Sequence, residues 1–193
     1  MCGLAVVAFS EENFSDEVLA SVMTSMAHRG PDGVNRSRNE ECLFIHARLS
    51  IIGLGQPGDQ PITSVSGRWS VVFNGEIYNY KKLRQDYKLR NPNTSDGSVI
   101  PELLDKFGPN GLSKLEGMFA IVAFDNFEKK LLLSVDYFGI KPLYYFKQNN
   151  EIYVASEIST LLKFEKEFKL SKLAINSFLK RGSMPNNLSG YED

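Results

Sequence analysis

Met1-Cys2-Gly3-Leu4-Ala5-Val6-Val7-Ala8-Phe9 opens the chain, and the apolar run after Cys2 reads as a buried strand. Removal of Met1 would leave Cys2 carrying both a thiol and a free α-amine. The thiol is a strong nucleophile, and an α-amine, titrating near 7.7–8.0, can move protons at neutral pH. A nucleophile whose base is its own N-terminus needs no distant histidine. Methionine-trimming aminopeptidases favour small second residues, and cysteine qualifies. Position alone favours a cysteine that merely follows the initiator, so the remaining segments decide.

Outward from that strand, a polar turn leads to an amphipathic helix. Val18, Leu19, Val22, Met23 and Met26 recur at helical spacing, with Ser15 as N-cap and Asp16 and Glu17 in the first turn. His28-Arg29-Gly30-Pro31-Asp32-Gly33 ends it with turn chemistry. Residues 41–52 and 69–73 predict strands, and residues 78–89 and 98–107 predict helices, the second with Pro101 in its first turn. Met118–Asp125 with Lys130–Asp136, and Leu143–Lys147 with Glu151–Ala155, predict two hairpins. Helices follow near 156–164 and 171–181, the latter stopped by Gly182. Hairpins separated by bunched helices indicate an α+β fold and not an alternating βαβ sheet. Residues 1–182 are expected to form one domain, with 183–193 a tail or the start of a linker.

The 193 residues carry 22 basic and 23 acidic side chains, a net charge of −1. No broad basic field points to nucleic acid or to an anionic membrane surface. No apolar run approaches the roughly 20 residues of a spanning helix, and no signal peptide precedes Cys2. Two cysteines without an export signal point to a reducing cytoplasm. Cys2, Cys42, His28 and His46 are the only cysteines and histidines, and their spacing disfavours a zinc site, although a Cys–His dyad with either histidine as base stays open. Neither common phosphate-binding glycine loop occurs.

Four further residues have chemistry to offer. Asn74-Gly75 follows the strand 69–73, either as an ordinary turn or as two donors aimed at a developing oxyanion. Arg48 could clamp a carboxylate in bidentate fashion or form a surface ion pair. Asp96 could receive an ammonium or cap the next helix.

Taken together, Met1-Cys2-Gly3, His28-Arg29-Gly30-Pro31-Asp32, His46-Ala47-Arg48-Leu49-Ser50-Ile51-Ile52, Gln60-Pro61, Asn74-Gly75-Glu76-Ile77-Tyr78-Asn79 and Ser95-Asp96 form an ordered set. Leu115–Ala120, Asp136–Tyr145 and Ala155-Ser156-Glu157-Ile158 complete it. The set resembles the glutamine amidotransferase domain of asparagine synthetases, a class II amidotransferase of the N-terminal-nucleophile hydrolase type, over roughly residues 1–180. The resemblance implies a four-layer αββα sandwich with Cys2 as nucleophile and its amine as proton shuttle. It implies Asn74 and Gly75 as the oxyanion hole, Arg48 on the α-carboxylate of L-glutamine and Asp96 on its α-ammonium. Glu76 and the backbone of Leu49, Ser50, Ile51 and Ile52 would line the pocket.

It also implies an ATP- and Mg²⁺-dependent C-terminal synthetase domain as partner, beyond this chain, with no cofactor in this domain itself. The acceptor of the ammonia, aspartate or another carboxylate such as a sugar acid, is not readable here, nor is oligomeric state, a homodimer included. A silent glutamine-binding module is the reading from a different class. Two departures stand out. The family pattern has an arginine shortly before Asp136, where this chain has Ser134-Val135, and often an acidic residue soon after Asp96, where Gly97-Ser98 stand.

Overall fold

The computed structural model describes residues 1–10, 14–49, 59–164, 167–184 and 189–192. The opening stretch forms β1 (Gly3–Ala8), every residue of which is buried. It pairs antiparallel with β3 (Cys42–Arg48) from Gly3↔Ala47 to Ala8↔Cys42, and on its other side with β9 (Glu151–Ala155). With β2 (Gly33–Arg38) and β8 (Tyr144–Gln148) on the edges, the first sheet runs β2-β3-β1-β9-β8. The second sheet runs β4-β5-β6-β7: Ile62–Thr63, Trp69–Ile77, Gly117–Asp125 and Lys130–Val135.

Side chains alternate across a strand, so each sheet must bury two different faces. Leu4, Val6 and Ala8 of β1 meet Val72 of β5 and Val122 and Phe124 of β6 between the sheets. Ala5 and Val7 face the other way, onto α1 (Asp16–Ser25) and the Leu161–Phe164 segment. The outer face of the second sheet, with Val71, Phe73 and Ile121, packs on Leu83 of α2 (Tyr80–Asp86) and on Val99, Ile100, Leu103 and Leu104 of α3 (Val99–Phe107). Three apolar interfaces thus separate four layers, αββα, as expected.

The predicted helices form, α1 with Ser15 Oγ accepting from Val18 N at 3.2 Å. α4 covers only Ile158–Leu161 before a 3₁₀ turn, and α5 (Lys172–Arg181) ends at Gly182, φ 70°. Both predicted hairpins are present. Two strands in particular depart from expectation. β2 was not predicted: its Gly-Val-Asn-Arg-Ser-Arg sequence is polar and mostly exposed because it is an edge strand. The strand at 69–73 continues through Asn74-Gly75-Glu76 to Ile77, so Asn-Gly makes no turn. Toward the described end of the chain, two backbone bonds join residues 190–192 to the start of α5 and the segment before it. Ser171 N donates to Gly190 O at 2.9 Å and Glu192 N to Lys169 O at 2.7 Å, with Tyr191 against Phe168. No helix among the described residues is long and apolar enough to cross a membrane.

Candidate active site

Cys2 sits immediately before β1, at the mouth between the two sheets. Its thiol lies on the backbone of Leu49, accepting from Leu49 N at 3.4 Å and donating toward Leu49 O at 3.6 Å. The Cys2 carbonyl accepts from Arg29 Nε at 3.1 Å, and Arg29 is bound through its other arm to Glu157 at 2.7 Å. Burial alone would raise the Glu157 carboxyl, but hydrogen bonds from Arg29 and His28 outweigh it and hold the carboxyl below its ordinary value. Ser156 adds two more ties, Leu4 N to its Oγ at 3.1 Å and its own N to Leu4 O at 3.0 Å. The His28-Arg29 turn and Ser156-Glu157 therefore hold the start of β1 from two directions.

The thiol opens onto a pocket of about 140 Å³. Arg48, Leu49, Asn74, Gly75, Glu76 and Asp96 all line it, though they come from two sheets and a turn. Ser50, Ile51 and Ile52, expected beside Leu49, lie outside the described residues. Arg48 ends β3, nearly buried, and pairs with Asp59 at 3.2 Å. Asn74 is 2% exposed, and among the described residues its Nδ2 has no hydrogen-bond partner. Gly75 lies in the strand because β6 passes too close for a side chain: a Cβ there would fall 2.1 Å from Met118 O.

Asp96 occupies a short 3₁₀ turn, Asp96–Ser98, ahead of α3. It does not cap that helix. Its carboxylate accepts from Ile77 N at 2.8 Å, tying the turn to β5. Burial raises the Asp96 carboxyl, the amides of Ile77 and Gly97 oppose the rise, and the Glu76 charge adds to it. The two residues after Asp96 are committed to packing. A Cβ on Gly97 would come within 2.0 Å of the Phe73 ring, and Ser98 Oγ bonds Ser95 O and Arg84 at 2.5 Å each. An acidic side chain at 97 has no room. Nothing in the structure explains Ser134-Val135 in place of arginine.

The wall also holds Gln60, which carried no catalytic role in the sequence reading, and His46, one of the two histidines left open there as a base. Gln60 brackets Phe73, accepting from Phe73 N at 2.6 Å and donating to Phe73 O at 3.1 Å, so its amide acts as a strand neighbour beside Asn74. His46 lines the wall at 1% exposure with both ring nitrogens unpartnered among the described residues, and burial, with the Arg48 charge, pushes its pKa down to about 4. It is a neutral ring at physiological pH. His28 bonds Glu157 at 3.1 Å, and neither histidine is hydrogen-bonded to the thiol, so no Cys–His dyad forms. Cys42 lies in the core between the sheets, its thiol pushed up by burial. No group of three or more His, Cys, Asp or Glu among the described residues could hold a metal ion.

Lys141 was hidden in what read as an aromatic loop. Asp136 accepts from the backbone N–H groups of Phe119, Phe138 and Ile140 at 3.1 Å and of Lys141 at 3.2 Å. That cage turns Tyr137 and Phe138 to solvent and Lys141 inward, where the residue is 6% exposed and its ammonium donates to Met1 Sδ at 3.1 Å.

Two antiparallel sheets faced by helices, with cysteine leading into a central strand, define an N-terminal-nucleophile-type sandwich. A solved glutamine phosphoribosylpyrophosphate amidotransferase from Bacillus subtilis has this fold, with a TM-score of 0.67 at 20% identity over 84% of this chain and 43% of that one. The chain belongs to the glutamine amidotransferase domain family, whose model matches residues 1–193. It is 32% identical to asparagine synthetase [glutamine-hydrolyzing] 1 of Bacillus subtilis over 96% of its length, and 36% identical to amidase chry2 of Gibberella zeae over 77%. It spans 30% and 23% of those relatives' own lengths.

Proposed function

We propose that this domain hydrolyses L-glutamine to glutamate and ammonia through a thioester on Cys2, and that the ammonia feeds an ATP-dependent, asparagine-synthetase-like partner domain. The supporting observation is the unpartnered Asn74 amide, buried on the wall of the pocket that receives the Cys2 thiol. A buried donor without an acceptor costs about 1–3 kcal/mol, and an oxyanion formed only during reaction is the acceptor that justifies it.

In this reading Arg48 takes the α-carboxylate, exchanging its Asp59 contact, and Asp96, with Glu76 beside it, takes the α-ammonium. Leu49–Ile52 complete the wall. The side-chain amide is then left facing sulfur. The Cys2 thiolate attacks the δ-carbonyl carbon, and Asn74 Nδ2 and the Gly75 N–H hold the oxyanion. The C–N bond breaks as the Cys2 amine, which took up the thiol proton when the thiolate formed, delivers that proton to the departing ammonia. Water then cleaves the γ-glutamyl thioester, releasing glutamate and restoring the thiol. The amine exists only once Met1 has been removed.

Residues 1–182 would constitute the amidotransferase unit, with 183–193 leading toward the synthetase domain. ATP and Mg²⁺ would act there, and none is required here. A cytoplasmic setting suits a free catalytic thiol. Homodimerisation is left to measurement.

Intact-mass measurement followed by a glutaminase assay tests the proposal. The Met1-free chain should release ammonia from glutamine and Cys2→Ala should fall to background. Equal release from both proteins rules the mechanism out, and glutamine binding without turnover by the Met1-free chain would establish a silent module instead.

A further inference from the structure

Lys141 stands apart from the other cations around Cys2. Arg29, from the turn after α1, is paired with Glu157, which also takes His28; Arg48, on β3, is paired with Asp59. Among the described residues the Lys141 ammonium has no carboxylate partner, and its hydrogen bond goes to the thioether of Met1. Asp136, five residues earlier, is occupied by backbone N–H groups. A buried ammonium without a counterion is costly, so its retention on the wall of this pocket calls for a use.

Removal of Met1 takes away that one neighbour and creates the Cys2 α-amine nearby. Five bonds separate Met1 Sδ from the Cys2 nitrogen, so Lys141 Nζ, 3.1 Å from the sulfur, lies within roughly 9 Å of it. Two cations at that distance repel, and the weaker base gives up its proton first, which here is the α-amine. The remaining charged groups that line the pocket are Glu76 on β5 and Asp96 on the 3₁₀ turn, both acidic and pulling the other way. Bound glutamine offsets them with its own ammonium but leaves Lys141 unopposed. His46, on β3, is neutral.

We propose that Lys141 acts through Cys2, keeping the α-amine of the Met1-free protein in its unprotonated, proton-accepting form near neutral pH. This rests on the reading of Cys2 as nucleophile, but its effect on the amine is measurable without any reaction. Lys141 is accordingly a positioning residue for a proton and need not touch substrate.

The test is an NMR pH titration of Met1-free protein labelled with 13C-cysteine, comparing the natural chain with Lys141→Met, Lys141→Gln and Lys141→Arg. Buried Cys42 supplies a reference signal in the same spectrum. Lys141→Met and Lys141→Gln should raise the amine midpoint by roughly one pH unit, and Lys141→Arg should leave it near the natural value. The acid limb of glutaminase activity should move by the same amount. An unchanged amine midpoint in whichever neutral variant folds overturns the proposal even if activity falls. A shifted midpoint in a chain without glutaminase activity sinks the proposed function and leaves this inference standing.

Discussion

Asp96 and Asp136 are both buried aspartates in turns next to the second sheet, and their surroundings drive them in opposite directions. Asp136 accepts four backbone N–H bonds, and although burial pushes its carboxyl up, those donors win and hold it below 3.8. Asp96 has Ile77 N and weaker amide support, so burial wins and its carboxyl rises above 3.8. The same contrast extends to their regions. Around Asp136 the backbone N–H groups of Phe119, Phe138, Ile140 and Lys141 are all used internally. Around Asp96 the pocket wall holds four of the seven buried side-chain polar atoms that lack partners among the described residues: Asn74 Nδ2, Ser95 Oγ and both ring nitrogens of His46. A closed polar network rigidifies a fold, whereas an open one around a cavity is where a ligand's groups can be used.

The largest expected effect separates catalysis from stability. Asn74→Ala removes a donor that has no partner among the described residues, so turnover should fall about 10²–10³-fold while Tm barely moves. Paired glutaminase assays and thermal melts check it, and a large loss of Tm would show that the amide is structural after all. Asp136→Asn should do the reverse, costing about 3 kcal/mol of folding stability as charge-assisted bonds are lost. Because the folded carboxyl sits below its unfolded value, its contribution is present above about pH 4 and disappears as pH falls through the folded value. Urea melts of the Asn variant across pH 2–5 should therefore lack part of the natural chain's acid sensitivity.

His46→Phe probes an unpartnered ring on the pocket wall. With its folded pKa pushed from 6.5 to about 4, the neutral ring's contribution is intact above pH 6.5 and lost as pH falls toward 4, by up to about 3 kcal/mol. The Phe variant should show a flatter stability profile across that window, and an identical profile would mean the ring is not held neutral. Asp96→Asn has the smallest expected effect and the opposite pH sign to Asp136→Asn. A raised carboxyl stabilises the fold only while protonated, and that contribution is lost as pH rises through the folded value. Without glutamine the Asn variant should gain on the order of 1 kcal/mol at pH 7 by denaturant melt. A loss of stability would dissolve the contrast between the two aspartates.

How much of this could be read in the chain varies by region. The buried strand at 3–8, the capped helix α1 and both hairpins follow from local pattern, because period and turn residues agree with the tertiary environment there. Asn74-Gly75 shows local pattern failing. An Asn-Gly pair ordinarily signals a turn, but the close approach of the Met118 carbonyl demands a residue without a side chain inside a continuous strand. The edge strand β2 escaped because a half-exposed polar hexapeptide has no periodic signature. Gln60 and Lys141 were invisible as pocket residues, since one substitutes for a strand neighbour and the other is turned inward by a loop wound on Asp136.

By itself the sequence determined the α+β class and the apolar strand behind Cys2, and it singled out Cys2, Arg48, Asn74, Gly75 and Asp96 as candidates, since residue type and order are local properties. Only the tertiary structure decided that residues from opposite sheets and a distant turn share one pocket, that neither histidine is hydrogen-bonded to the thiol, and that among the described residues Asn74 Nδ2 has no partner and Lys141 no carboxylate, while Asp136 is saturated. Whether a buried group is satisfied depends on what the fold brings to within about 3 Å of it, and no spacing along a chain records that distance.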